Sequence, residues 1–125
     1  MNLEVGDVVY IYNEDIIPPK HKYSVCVHVS SRLFFLINSR NLSIYECLPI
    51  LKENNDFLKE NSNIACNQAF KYNESQISKA KLVGRLGYKD MKALYEHIKG
   101  RVRQLPKADK EEILETLEEW MMDNS

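Results

Sequence analysis

Residues 20–39, Lys-His-Lys-Tyr-Ser-Val-Cys-Val-His-Val-Ser-Ser-Arg-Leu-Phe-Phe-Leu-Ile-Asn-Ser, constrain the fold more than any other stretch of this chain. Val25, Val27, Val29, Phe34, Phe35 and Ile37 are β-branched or aromatic, types that pack well on a pleated, half-buried surface. A short polar turn divides them into two strands, so the stretch reads as one hairpin. Antiparallel pairing sets the start of the first strand beside the end of the second. The polar ends, Lys20 to Lys22 and Asn38-Ser39, therefore meet in space, and any chemistry is expected where the sheet stops.

The rest of the chain supplies partners for that hairpin. Val5 to Tyr12 reads as a first strand opened by Gly6-Asp7. Residues 13–22 form a long loop whose Pro18-Pro19 pair fixes two φ angles, and loops of this kind on a rigid scaffold tend to carry function. Ile44 to Leu48 reads as a short strand stopped by Pro49, and residues 52–62 as a polar stretch with one helical turn anchored by Phe57 and Leu58. A further strand spans Asn63 to Phe70, interrupted by Asn67-Gln68, a polar pair that a simple strand does not need. Lys79 to Gly87 reads as a last strand, in which Gly84 marks a bulge or a close backbone approach.

Helical periodicity begins only after this. Met91, Leu94, Tyr95 and Ile98 follow the i, i+3, i+4, i+7 pattern, with Gly100 as the stop. Ile113, Leu114, Leu117, Trp120 and Met121 form the stripe of a second helix, started by an Asp109/Glu112 capping pair. The expected architecture is one domain, mainly β with C-terminal helices: residues 1–105 form a small barrel with its helix, and 106–125 an acidic amphipathic helix packed on it.

Composition narrows the function classes. Apolar residues at 44% and charged residues at 28% suit a water-soluble globular chain. No signal segment or membrane span is read, so a cytoplasmic protein is expected. Cys26, Cys47 and Cys66 lack CxxC spacing and read as buried free thiols in strands. The net charge of −1 hides an asymmetry: residues 61–108 hold ten Lys/Arg against three Asp/Glu, and 109–125 hold one against seven. The basic part meets an anionic partner, or the tail folds back on it, or the charges merely coat solvated faces.

Taken together, Gly6-Asp7, Lys22 to Val27, Leu36 to Ser39, Ser62 to Gln68, and Leu82 to Gly87 followed by the Met91-Leu94-Ile98 helix resemble the PemK/MazF-like toxins of bacterial toxin-antitoxin systems. The resemblance spans about residues 5 to 100. It implies a small SH3-like barrel, homodimeric, that cleaves single-stranded RNA without metal or cofactor and is held inactive by an acidic antitoxin segment. The chain departs from the family where catalysis is placed. Lys20-His21-Lys22 stands where Lys-Arg-Pro is usual, and Asn38-Ser39 where Thr-Ser is usual. Lys lacks the bidentate fork of Arg, so a barrel that binds nucleic acid or protein without cutting is the alternative.

Metal-free RNA cleavage needs a base, an acid and a cation against the charge that develops on the phosphate. The candidates are His21 as acid or base, Lys22 as cation, and Asn38 and Ser39 as donors to phosphate oxygens. His21 reads equally well as a solvated loop histidine. Lys20, Arg40, Asn67, Gln68, Lys71 and Arg85 are the expected RNA-binding residues, and Lys79, Lys81, Arg101 and Arg103 extend the basic footprint. Tyr10, Tyr12, Phe34 and Phe35 either stack bases or fill the core. His28, two residues from Cys26, reads as a structural histidine on the Cys26 face, and His97 as a surface residue.

Overall fold

The computed structural model describes all 125 residues. Strands β1 (Asp7–Asn13), β2 (Lys20–His28), β3 (Leu33–Asn38), β4 (Leu48–Ile50), β5 (Ser62–Lys71) and β6 (Lys81–Arg85) form one antiparallel sheet in the order β4-β5-β3-β2-β1-β6. Helix α1 (Glu74–Lys79) precedes β6, and α2 (Tyr88–Arg101) and α3 (Lys107–Asn124) close the chain. The protein is thus mainly antiparallel β with C-terminal helices. The sheet stays open, since β4 and β6 are its two edges and each pairs on one side only. No helix is long and apolar enough to cross a membrane.

The β2–β3 hairpin lies at the centre of the sheet and is covered on both sides, which explains its nearly unbroken apolar run. Val25, Val27, Phe35 and Ile37 join the larger core, which Met91, Leu94 and Ile98 of α2 and Ile113 and Leu117 of α3 complete. Cys26 and Phe34 face the other way, into a smaller core with Val9, Ile11 and Tyr72, beneath Ile77 of α1. A fully buried aliphatic or aromatic side chain contributes ~1.5–3 kcal/mol, so the eighteen-residue core on the helix side carries most of the stability. At the head of β1, Gly6 adopts a φ of +92°, and a Cβ there would press on Met91 at 3.3 Å. That turn requires glycine.

Several local expectations are corrected. Residues 43–45 make a single 3-10 turn rather than a strand, and Pro49 lies inside β4. Pro is tolerated there because β4 is an edge strand. The single helical turn of the 52–62 stretch is a 3-10 turn at Lys52–Asn54, with Phe57 and Leu58 packed on the larger core. Helix α1 was unforeseen and takes up Lys79, so the last strand starts only at Lys81. Its first turn is held by a reciprocal Asn73/Gln76 capping box, at 2.8 Å in both directions. The Asp109/Glu112 capping pair does not form: α3 begins three residues earlier, after Pro106, and Asp109 lies in its first turn. Helix α2 runs one residue past Gly100. Cys26 and Cys66 are buried free thiols, whereas Cys47 sits half-buried outside any strand.

Two interactions fasten β6 to the sheet. The Asp7 carboxylate is wholly buried and accepts from Arg85 Nε at 2.7 Å and from the Glu4 backbone N–H at 2.8 Å. Gly84 lies at the register shift between β1 and β6, where a Cβ would stand 2.3 Å from the Phe57 ring. The bulge expected at Gly84 is present, and the close neighbour there is the Phe57 ring rather than another stretch of backbone. Gly84→Ala is therefore expected to cost about 1–3 kcal/mol by overpacking. Adding Phe57→Leu should recover part of that loss, and chemical denaturation of the two single variants and the double variant measures the recovery.

Candidate functional site

The pairing of β2 with β3, Tyr23 opposite Ile37 and Ser24 opposite Leu36, brings Lys22 beside Asn38. The Lys22 ammonium donates to Asn38 Oδ1. These two residues, with Ser39, Lys20 and Arg40, line a cleft of about 600 Å³ on the small-core side of the strand ends. Lys22 is half-buried, and its pKa is lowered, chiefly because burial penalises the ammonium and secondarily because Lys20 stands near. Three cations thus gather in one hollow, and the carboxylate that joins them there is Asp15.

The far wall explains the Asn67-Gln68 pair. Between β3 and β5 the register runs from Phe34 opposite Phe70 to Leu36 opposite Ala65, so extra β5 residues crowd against Phe35. This bulge carries Asn67 and Gln68 into the cleft with Phe70. Bulges commonly re-aim side chains beside functional sites.

The near wall is the 14–19 loop, which Asn13 holds in place. Buried Asn13 accepts through Oδ1 from the backbone N–H groups of Asp15 (2.8 Å) and Ile16 (3.2 Å), and its amide donates to Tyr72 Oη at 3.1 Å. Ser24 Oγ lies 2.9 Å from the same hydroxyl. Tyr72 titrates higher than an ordinary tyrosine because of burial, against which the Ser24 and Asn13 hydrogen bonds act. Ile17, at the loop tip, is 97% exposed and overhangs the cleft.

Other expected residues lie apart. His21 pairs with Tyr12 and points to the helix side of the sheet, opposite Lys22, because successive strand residues alternate faces. Its ring stacks on Tyr10, with centroids 5.1 Å apart and planes at 21°. His21, Lys22 and Ser39 do share a smaller hollow of about 320 Å³ at the strand ends, but His21 does not line the main cleft. Arg85 is committed to Asp7 and, at 2.9 Å, to Glu4, and Lys71, across from Leu33, follows the cleft-lining Phe70 but does not itself line the cleft. Arg101 and Arg103 line a separate open groove along α2 with Lys89 and Lys92.

Phe34 and Phe35 are wholly buried core residues, whereas Tyr10 and Tyr12 are each 42% exposed. A register shift at the end of β2 turns His28 toward Glu112 of α3, at 3.8 Å, so it does not share the Cys26 face. His97 is half-buried with Nε2 2.8 Å from the Glu46 carbonyl oxygen, not a free surface residue. Burial pushes the Cys26 thiol up to about 12 and raises Cys66 as well. Neither is a nucleophile at neutral pH. No residue of α3 lines either hollow at the strand ends.

Compared with known proteins, the chain matches no family model, no curated protein and no solved structure. The site is defined by geometry. Asn13 and Tyr72 escaped sequence reasoning because their partners are distant, at separations of 59 residues for Asn13–Tyr72 and 48 for Ser24–Tyr72. The polar Asn13 at the end of an apolar strand was the available signal.

The electrostatics of Lys22 carry a stability consequence. Its folded pKa lies below the ordinary lysine value of 10.5, so between the two values the folded chain binds fewer protons than the unfolded chain. Stability then rises with pH across that interval. Lys22→Met should match or exceed the native chain in urea midpoint at pH 7, by about 1 kcal/mol or less, because the half-exposed ammonium is screened by water. That advantage should shrink as the pH rises toward 10.5.

Proposed function

We propose that this chain is a PemK/MazF-like endoribonuclease with a small SH3-like barrel, which binds single-stranded RNA in the cleft at the β2–β3 ends and cleaves it without metal. One observation carries the reading. Lys22, held by Asn38 and accompanied by Lys20 and Arg40, sits where two strand ends converge, with the hydroxyl of Ser39 alongside. A phosphate lodged there meets positive charge and neutral donors together, the combination that stabilises charge developing on a phosphorane.

In such a cut the ribose 2′-hydroxyl gives up its proton to solvent water as its oxygen attacks the adjacent phosphorus, and the 5′-oxygen leaves and takes up a proton, giving a 2′,3′-cyclic phosphate and a 5′-hydroxyl. Lys22, Lys20 and Arg40 balance the charge on the non-bridging oxygens, and Ser39 donates to one of them. Lys22, whose ammonium gives up its proton more readily than that of an exposed lysine, is the group placed to protonate the leaving oxygen. Asn67 and Gln68 hydrogen-bond the bases or sugars from the bulge wall. A cytoplasmic homodimer and an acidic antitoxin segment over the cations follow from the family resemblance.

A second reading, binding without cleavage, is favoured by the position of His21. With that ring on the other face, the cleft lacks a side chain that titrates near neutrality.

A mixed RNA pool incubated in EDTA with the purified chain distinguishes the two. Fragments ending in cyclic phosphate, reduced about 100-fold in rate by Lys22→Met and retained by His21→Ala, support cleavage as described. RNA that is bound but intact favours the second reading, and RNA neither bound nor cut sinks both.

A further inference from the structure

The face of the sheet opposite the cleft carries a feature that the cleft does not use. Across β1 and β2, Tyr10 pairs with Tyr23 and Tyr12 with His21. Tyr10 touches both neighbours, at 5.1 Å to His21 and 5.2 Å to Tyr23, and Tyr12 meets His21 edge-on at 5.2 Å. Four rings form a continuous row. One step inward on this face, Val8 and Val25 are wholly buried in the larger core. Helices α2 and α3 cover that inner half and leave Tyr10, Tyr12 and His21 in solvent.

We infer that Tyr10, Tyr12 and His21 form a base-stacking platform for the same single-stranded RNA, so that a strand held by phosphate at Lys22 and Ser39 crosses the strand ends and lays its neighbouring bases on these rings. This inference rests on the RNA reading of the cleft. Contiguous exposed aromatic surface marks an interaction site, and stacking on aromatic side chains is the usual way of holding unpaired bases.

The charges around the rings select the occupant. Lys81 pairs with Tyr10 across the β1–β6 boundary. Lys79 borders the Tyr12–His21 hollow, and Lys20 and Lys59 the Tyr10–Tyr23 hollow. None of these four lysines is engaged in an ion pair, and they outnumber the two carboxylates at the margins, Glu14 and Glu60. A polyanion with flat apolar faces suits such a surface better than an apolar protein patch does.

Continuity with the cleft sets the path. Lys22, Asn38 and Ser39 line both the cleft and the hollow beneath Tyr10 and His21. Neighbouring strands lie about 4.8 Å apart, so the rings of β1 and β2 stand within one or two strand spacings of the phosphate-binding end. On this view His21 is a binding residue and takes no part in proton transfer.

The test is fluorescence anisotropy of the full chain with ten-nucleotide 2′-O-methyl RNA of random sequence, which the 2′-oxygen mechanism leaves intact. Tyr10→Ala and His21→Ala should each weaken binding by about 10-fold, while Tyr10→Phe and His21→Phe, which keep a ring and guard against misfolding, should bind as the native chain does. An oligonucleotide made abasic throughout should erase the difference between native chain and alanine variants. If Lys22→Met weakens binding while Tyr10→Ala and His21→Ala leave it unchanged, the platform is wrong and the cleft reading stands. If the native chain binds no oligonucleotide, both fall. Should Tyr10→Ala instead split a dimer in sedimentation at unchanged RNA affinity, the rings seat a second copy and the inference is overturned.

Discussion

The antiparallel register of β2 against β3 is the constraint on which the rest depends. Both strands are flanked by further strands and covered on both faces, so a slip of one residue would turn Val25, Val27, Phe35 and Ile37 out of one core and Cys26 and Phe34 out of the other. Burial on two sides pins this register more firmly than burial on one. With the register set, Lys22 and Asn38 have no freedom to lie apart. The site is a geometric by-product of the core, and its rigidity comes from side chains that never touch it.

The cleft is built at some expense to stability. Lys22 is kept charged in a half-buried position beside Lys20, an arrangement that burial and like charge both oppose. Part of the offset is its hydrogen bond to Asn38, and part lies further away. The Asn13–Tyr72–Ser24 cluster ties the 14–19 loop, the middle of β2 and the end of β5 to one phenol oxygen. A buried polar group left unpaired costs ~1–3 kcal/mol, so the three groups hold one another, and with them the loop wall, in place.

Legibility in the sequence followed the range of the interactions. The hairpin, β1 and the two C-terminal helices declared themselves, because β-branched density and 3.6-residue spacing are local signals. Short elements did not. Helix α1 is six residues long and held by a capping box, β4 is three residues long with a proline inside it, and the start of α3 was decided by Pro106 rather than by the acidic pair downstream. Among the site residues, Lys20, Lys22, Asn38, Ser39, Arg40, Asn67 and Gln68 converge as their places at strand ends and in an interrupted strand suggested. Arg85 and Lys71 do not, since charge in a sequence does not show that a buried Asp7 claims one cation and that the alternation of β5 after the cleft-lining Phe70 turns the other away.

Sequence by itself determined that two adjacent apolar strands with polar ends would sit inside a sheet, that Gly6 and Gly84 would mark tight backbone, and that helices would cover one face. Each of these depends on side-chain type within a few residues. Only the tertiary structure decided which polar end faces which side. Alternation along β2 sends Lys22 to the cleft and His21 to the exposed tyrosines, and it takes the paired positions of Ile11 and Tyr12 to say which face is which. The residues at the ends of the hairpin were therefore legible as a group, while their division between a cationic cleft and an aromatic face was not, because that division is a property of the neighbouring strands.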